Sequence, residues 1–426
     1  MVLRIINGRV LDPSSGTDCI KDLCIRDGVF CDLDEGMQAD RIIDAEGCYV
    51  MPGLVDMHVH LRDPGYEYKE TLSTGTAAAV KGGFTAVVAM ANTMPVTDTA
   101  EKITKLLERS ETECSCRLLP VGSVTLGLKG EELADMDAMA RAGAVAFSED
   151  GRPVMNAELY RRGLLAAKRN GKAVLDHAED LNLLAGGTMQ AGKKAKELGV
   201  PGVMHCVEDV MTARDIILAK ETGAHLHLCH VSTKDSVRMV RLAKAAGINV
   251  TAECTPHHLI LSVDDMPGAD SNFKMAPPLR DPEDVIAVRE GLVDGTLDAI
   301  ATDHAPHSAE EKARPFAKTP NGIVGLETAV PLIITEFVRT GIISPLRMAE
   351  LMSLNPSRLI GYPSGTLGMG AAADVTIIDP DREYVIDPSE FVSKSRNTPY
   401  AGRKVFGKVM YTIVGGKVAY EERSTK

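Results

Sequence analysis

The feature that most limits the fold is a repeat. From residue 53 to about residue 360, short β-rich runs alternate with longer stretches rich in Ala, Leu, Lys and Glu. The runs cover residues 54–60, 84–90, 117–124, 144–148, 173–177, 225–230, 249–254 and 297–302. Most are followed by a helical candidate, such as residues 67–81, 209–222 and 235–246. Eight βα units in about 300 residues predict an α/β fold of the closed (β/α)8, TIM-like type. A doubly wound open sheet would need a Gly-rich phosphate turn after its first strand, and none follows here.

Both flanks read as β-structure. Asn7-Gly8 and Asp27-Gly28 each separate two apolar runs, and Gly415-Gly416 does the same near the other end. Such pairs tolerate positive φ and predict type I′ hairpins. Neither flank is large enough to bury a sheet alone, so the two are expected to combine into one small β-sandwich. The expected units are therefore a composite sandwich of residues 1–52 and 365–426 and a barrel of residues 53–364.

Composition narrows the function classes. The formal charge is −12, with 44% hydrophobic and 25% charged residues, which excludes a disordered or collagen-like chain. No basic stripe is available to release counterions, so neither nucleic acid nor an anionic membrane is an expected partner. No apolar run approaches the roughly 20 residues of a membrane helix. Arg4 interrupts the apolar start, so no signal peptide is expected. Nine Cys without a C-x-x-C pair read as reduced thiols of a cytoplasmic protein, and Cys114 and Cys116 as core packing.

The apolar runs finish in polar residues. The first ends in His58-Val59-His60, the second leads to Asn92, and the fourth to Glu149-Asp150. The fifth ends in His177, the sixth in His230, and the eighth leads to Asp303-His304. In a barrel these ends share the rim where active sites are built. His58 and His60, two apart on a strand, point the same way and can chelate one ion. Imidazole is a good zinc ligand, and a carboxylate can bridge two cations. Each residue also has a plainer reading: Asp150 could open a turn and Asp303 could cap a helix. The coincidence of four His and two Asp at one end of five strands favours a metal site. His225, His227, His257 and His258 read as hydrogen-bonded core residues, and His205 as a surface or helix-associated one. Arg62, directly after the H-x-H, could clamp a substrate carboxylate or form a surface salt bridge. Asn92 offers a donor and an acceptor at the same rim. Pro277-Pro278 and residues 305–319 read as long rim loops, the latter able to close over substrate.

These motifs resemble the amidohydrolase superfamily and, within it, the bacterial type I dihydroorotases. Pro52-Gly53-Leu54-Val55-Asp56-Met57-His58-Val59-His60 is similar to the superfamily's first-strand signature, and the run from His58 to Gly65 to its dihydroorotase version. Ala91-Asn92-Thr93-Met94-Pro95, Thr255-Pro256-His257-His258-Leu259, Pro277-Pro278-Leu279-Arg280 and Thr302-Asp303-His304-Ala305-Pro306-His307 fit the same family. So do Gly325-Leu326-Glu327-Thr328 and Asn397-Thr398-Pro399-Tyr400, and the resemblance runs over essentially the whole chain.

Carried over by residue, the resemblance implies two zinc ions per subunit. His58, His60 and Asp303 would hold one, His177 and His230 the other, with Asp150 bridging where hydantoinases place a carboxylated Lys. Arg62 and Asn92 would hold the substrate carboxylate, beside His60. His307 and the backbone near Asn321 and Gly322 would contact the pyrimidine ring. The implied activity is the reversible cyclisation of N-carbamoyl-L-aspartate to (S)-dihydroorotate, a step of de novo pyrimidine biosynthesis, with Asp303 moving the proton. A homodimer and an association with aspartate transcarbamoylase are the implied partners. Two positions depart from the pattern: Ala276 precedes the Pro-Pro pair where relatives often carry Asn, and Asn321 precedes the Gly where they often carry Phe. The competing readings are an allantoinase or hydantoinase, whose substrates lack the ring carboxylate, and a non-catalytic scaffold, which would have lost ligands.

Overall fold

The computed structural model describes residues 1–32 and 38–422, so residues 33–37 and 423–426 of the expected sandwich segments lie outside the described residues. Strands β1 (Val2–Ile6), β2 (Arg9–Asp12), β3 (Thr17–Ile20), β4 (Leu23–Arg26), β5 (Val29–Cys31), β6 (Arg41–Asp44) and β7 (Tyr49–Pro52) come first. The βα repeat then supplies β8 (Leu54–Val59), β9 (Phe84–Ala89), β10 (Arg117–Ser123), β11 (Ala146–Ser148) and β12 (Val174–Asp176). A small insert carries β13 (Met189–Gln190) and β14 (Gly202–Val203), and the repeat resumes with β15 (Leu226–Leu228), β16 (Val250–Cys254) and β17 (Ala299–Ile300). The last strands are β18 (Val375–Val385), β19 (Lys404–Val414) and β20 (Lys417–Glu421).

Eight strands, β8 to β12 and β15 to β17, pair in chain order in one sheet, and every pairing is parallel. The sheet returns on itself just beyond β17, where His304 bridges Val59 of β8 and the His60 amide donates to the His304 carbonyl at 2.9 Å. These are the eight runs expected from sequence, and the chain folds as a TIM-like barrel. The helices between them start where side chains can accept the free amides of the first turn. Thr71 and Thr74 form a reciprocal cap at Leu72–Lys81, Asn156 caps Ala157–Arg169, and Thr233 caps Lys234–Ala245. The expected start at residue 67 moves to Leu72 because Thr71 supplies that cap. The longer helices bury one face; on Ala157–Arg169 this face includes Leu159, Leu164 and Ala167. A buried Leu side chain contributes about 1.5–3 kcal/mol.

The two chain ends build the sandwich together. One sheet runs β20-β19-β18-β7-β2-β3 and the other β5-β4-β1-β6, with Leu3, Ile5, Ile25, Val50, Val375, Ile377 and Ile413 between them. Asp27-Gly28 (φ 50° and 86°) closes the antiparallel β4–β5 hairpin, and Gly415-Gly416 closes β19–β20. The hairpin expected at Asn7-Gly8 does not form. Asn7 has φ 62°, but β1 pairs with β4 and β6, whereas β2 pairs with β3 and β7. The chain changes sheets there. Glycine serves packing at that corner, since a Cβ on Gly8 would stand 2.4 Å from Val50 Cγ2. Arg117 on β10 pairs with the buried Asp374 at 3.2 Å and ties barrel to sandwich. No helix among the described residues is long and apolar enough to cross a membrane.

Candidate metal centre

Six side chains meet at the C-terminal rim of the barrel. His58 is on β8 and His60 one residue past its end; His177 lies one residue past β12, and His230 and Asp150 two residues past β15 and β11. Asp303 follows β17 at the seam. All six are buried. Around the Asp150 carboxylate, Oδ1 lies 3.3 Å from His58 Nε2, 3.4 Å from His177 Nδ1 and 3.8 Å from His230 Nε2, while Oδ2 lies 3.5 Å from His60 Nε2. Asp303 Oδ1 is 3.1 Å from His60 Nε2 and 3.7 Å from His58 Nε2.

Tetrahedral bonds of about 2.0–2.2 Å hold their donor atoms about 3.3–3.6 Å apart, so these spacings suit cation coordination. His58 Nε2, Asp150 Oδ1 and His230 Nδ1 are buried without a hydrogen-bond partner. A buried polar atom left unpaired is costly, and the first two face the cluster where a cation would satisfy them. The donors of His58, His60 and Asp303 lie within 4.8 Å of one another, as do those of His58, Asp150 and His230. The residues present fit a divalent metal.

The surroundings orient these candidate ligands. His58 Nδ1 lies 3.1 Å from Glu253 Oε1, and the other Glu253 oxygen takes His227 Nε2 at 3.1 Å. A carboxylate only accepts, so His58 carries its proton on Nδ1 and leaves Nε2 bare. Asn92 does the same for His60. Its Nδ2 donates to Asp150 Oδ2 at 3.1 Å, which turns Oδ1 to His60 Nδ1 at 2.9 Å. Burial alone would raise the carboxyl groups, but His58, His177 and His230 hold Asp150 well below the ordinary range. His60 and His58 do the same for Asp303. Glu253 is likewise penalised by burial, yet His227 and His58 bring it down to about 2. Glu253→Gln, which offers one acceptor oxygen to two imidazoles, is expected to weaken metal affinity about 10–100-fold. Competition with a chromophoric chelator reads this, and an unaltered affinity would remove Glu253 from the role.

Three residues of this rim, Arg62, His230 and Asp303, have φ of 61°, 37° and 47°. A side chain in the left-handed region costs about 1–3 kcal/mol, the kind of strain that persists where surrounding contacts fix a site. Above the cluster lies a cavity of about 200 Å³, lined by His60, Arg62, Asn92, Asp150, His177, Glu179, His230, Ala276, Asp303, His307, Asn321 and Gly322. Every residue singled out for the site except the fully buried His58 reaches this wall. Gly322, at φ 129°, allows the tight passage there, since a Cβ would stand 2.5 Å from Ala305 Cβ. Residues 305–319, expected as a loop, are instead pinned. Ser308 caps the turn Ala309–Lys312, Lys274 Nζ donates to the Phe316 and Thr319 carbonyls, and Lys312 Nζ donates to Gly322 O.

His225 and His227 bond to Thr251, His258 to the Pro277 carbonyl, and His205 to Asp284, all in keeping with structural roles. His227 reaches the centre only through Glu253. Sequence reasoning passed over Glu253, Glu179, Lys69 and Glu311. A Glu inside the apolar run 249–254 was the one available signal.

A sequence model described as Dihydro-orotase-like matches residues 47–236. A dihydroorotase of Pelotomaculum thermopropionicum is 50% identical over 425 residues, covering 99% of both chains. The chain belongs to the dihydroorotase family. A second dihydroorotase, from an Anaeromyxobacter species, is 49% identical over 426 residues, covering 99% of this chain and 98% of its own. Among solved structures, the L-hydantoinase (dihydropyrimidinase) of Arthrobacter aurescens superposes with TM-score 0.89 at 28% identity, covering 98% and 96% of the two chains. This chain thus shares its barrel and sandwich architecture with that L-hydantoinase.

Proposed function

We propose that this chain interconverts N-carbamoyl-L-aspartate and (S)-dihydroorotate in cytoplasmic pyrimidine synthesis, with two zinc ions per subunit. The observation that carries this reading is the cluster of four imidazoles and two carboxylates with unsatisfied atoms, set below a cavity that Arg62 and Asn92 border. His58, His60 and Asp303 would hold one ion, His177 and His230 the other, with Asp150 between them. Bound there, zinc would acidify water and polarise the ring carbonyl.

The chain's own groups do the rest. Arg62 spends Nε on the Pro306 carbonyl at 3.2 Å and approaches His307 with Nη2, which leaves further N–H donors for a substrate carboxylate. Asn92 keeps one free amide N–H beside it. His307 and the backbone at Asn321 and Gly322 would border the ring. Asp303, ionised and against His60, accepts the proton of the attacking water at a carboxylate oxygen as the new C–O bond forms. It returns that proton to the ring nitrogen as the C–N bond breaks. Ring closure runs the same transfers in reverse.

The test is metal content measured together with turnover of dihydroorotate, hydantoin and allantoin, before and after chelation. Dihydroorotate turnover that falls on chelation and returns with zinc supports the reading. Preference for hydantoin or allantoin would replace it, and absence of metal would favour a scaffold. Arg62→Ala is expected to raise KM for dihydroorotate about 10–100-fold with a smaller change in kcat, the loss of charged hydrogen bonds to a carboxylate. An unchanged KM would count against the clamp. A homodimer and a complex with aspartate transcarbamoylase rest on the family alone, and sedimentation with and without that enzyme tests both.

A further inference from the structure

His307 stands in the cavity wall with two ring nitrogens that face unlike partners. Nε2 lies 2.7 Å from the Asn321 carbonyl oxygen, which can only accept. Nδ1 lies 3.3 Å from Lys69 Nζ, which as an ammonium can only donate, and 3.4 Å from Glu311 Oε2. The acceptor at the shortest distance places a hydrogen on Nε2. What remains is whether Nδ1 carries one as well.

The groups around the ring decide this. Two cations face it, Lys69 and Arg62 with Nη2 at 3.3 Å; Lys312 adds to their field, although burial and Lys274 bring its own ammonium down to about 7. Among the described residues Glu311 is the one carboxylate in contact with the ring, and it is already engaged by Lys69 Nζ at 3.0 Å, the Tyr68 hydroxyl at 3.1 Å and the Ser308 amide at 3.2 Å. Burial lowers the Lys69 ammonium from its ordinary range, and Glu311 at 3.0 Å together with the rings of Tyr66 and Tyr68 at 5.3 and 5.5 Å works against that loss. Burial first, then Arg62, Lys69 and Lys312, hold the His307 imidazole well below its ordinary range.

We infer that Lys69 is a positioning residue: by donating to Nδ1 it holds His307 as the neutral Nε2–H tautomer, whose N–H anchors the Asn321 carbonyl, so that the ring and the Asn321-Gly322 backbone are fixed in the cavity wall beside Arg62. The inference rests on the proposed activity for its substrate, but the tautomer itself does not. Without Lys69, Nδ1 has only the Glu311 carboxylate. The proton then moves to Nδ1 and the anchor on the Asn321 carbonyl is lost, or the ring becomes doubly protonated and the charge balance of the rim changes.

The experiment uses the full-length, zinc-loaded protein with 15N-labelled histidine, and His307→Gln assigns the resonances. Between pH 6 and 9 the wild type is expected to show His307 with Nε2 protonated and Nδ1 bare. Lys69→Met is expected to lose that pattern and to raise KM for dihydroorotate about tenfold, with kcat little changed and a new acid limb in the KM profile. Lys69→Arg is expected to restore most of both. A wild-type ring with Nδ1–H, or doubly protonated at neutral pH, overturns the inference, as does a Lys69→Met ring and KM identical to wild type. Should Lys69→Met fail to fold, the wild-type pattern and Lys69→Arg decide alone. Absence of dihydroorotate turnover in the wild type would overturn the proposed activity instead, because the nitrogen pattern is read without substrate.

Discussion

Asp303→Asn is expected to retain most of the bound metal and to reduce kcat about 10²–10⁴-fold, the usual contribution of a positioned acid–base group. The variant keeps an oxygen where Asp303 Oδ1 meets His60 Nε2 at 3.1 Å, so the cluster is not dismantled. It cannot accept a proton at that place, because a carboxamide is not a base at neutral pH. Elemental analysis beside a turnover assay separates the two effects. Near-normal turnover with full metal would remove Asp303 from proton transfer, and loss of metal would make it chiefly a ligand.

Asp150→Ala is expected to do the opposite first. Among the described residues the Asp150 carboxylate is the one group within 3.8 Å of all four histidines of the cluster, and without it the cluster keeps four imidazoles and a single carboxylate. Metal stoichiometry after dialysis is expected to fall to one or less per chain, with turnover lost. Metal that binds only the folded chain stabilises it by mass action, by about 2.7 kcal/mol at a hundredfold excess over Kd. The variant should therefore also lose the rise in Tm that zinc gives the wild type. Full stoichiometry and an unchanged zinc-dependent Tm would show that Asp150 is not shared between ions.

The barrel was legible because its signal is repeated. Each run is short, apolar and followed by a helical stretch, and eight repetitions leave few folds to choose among. The convergence of the six candidate residues was legible for the same reason, since strand ends of one sheet arrive at one rim. Asn7-Gly8 shows the limit. Residue type gives the φ a turn can take, and Asn7 does take it, but not which sheet the following strand joins. That depends on Val50, about forty residues away in sequence, against which Gly8 packs. Glu253 and Lys69 were missed because their roles lie in pairs: a carboxylate between His58 and His227, an ammonium between Glu311 and His307. Neither pair is close in the chain. Residues 305–319 looked mobile by composition, and it is Lys274 and Lys312, donating to backbone carbonyls, that pin them.

The six-stranded sheet also dictates an order of events during synthesis. β7 takes β18 as its antiparallel partner, with Thr376 opposite Met51 and Ile377 opposite Val50, so more than three hundred residues must be made between the two. On the ribosome, the edge of β7 stays unzipped while the whole barrel emerges. An unpaired apolar edge invites association with other chains. A nascent chain halted before residue 375 should therefore be far more prone to clump than the finished protein, and capture by holding chaperones should peak in that interval.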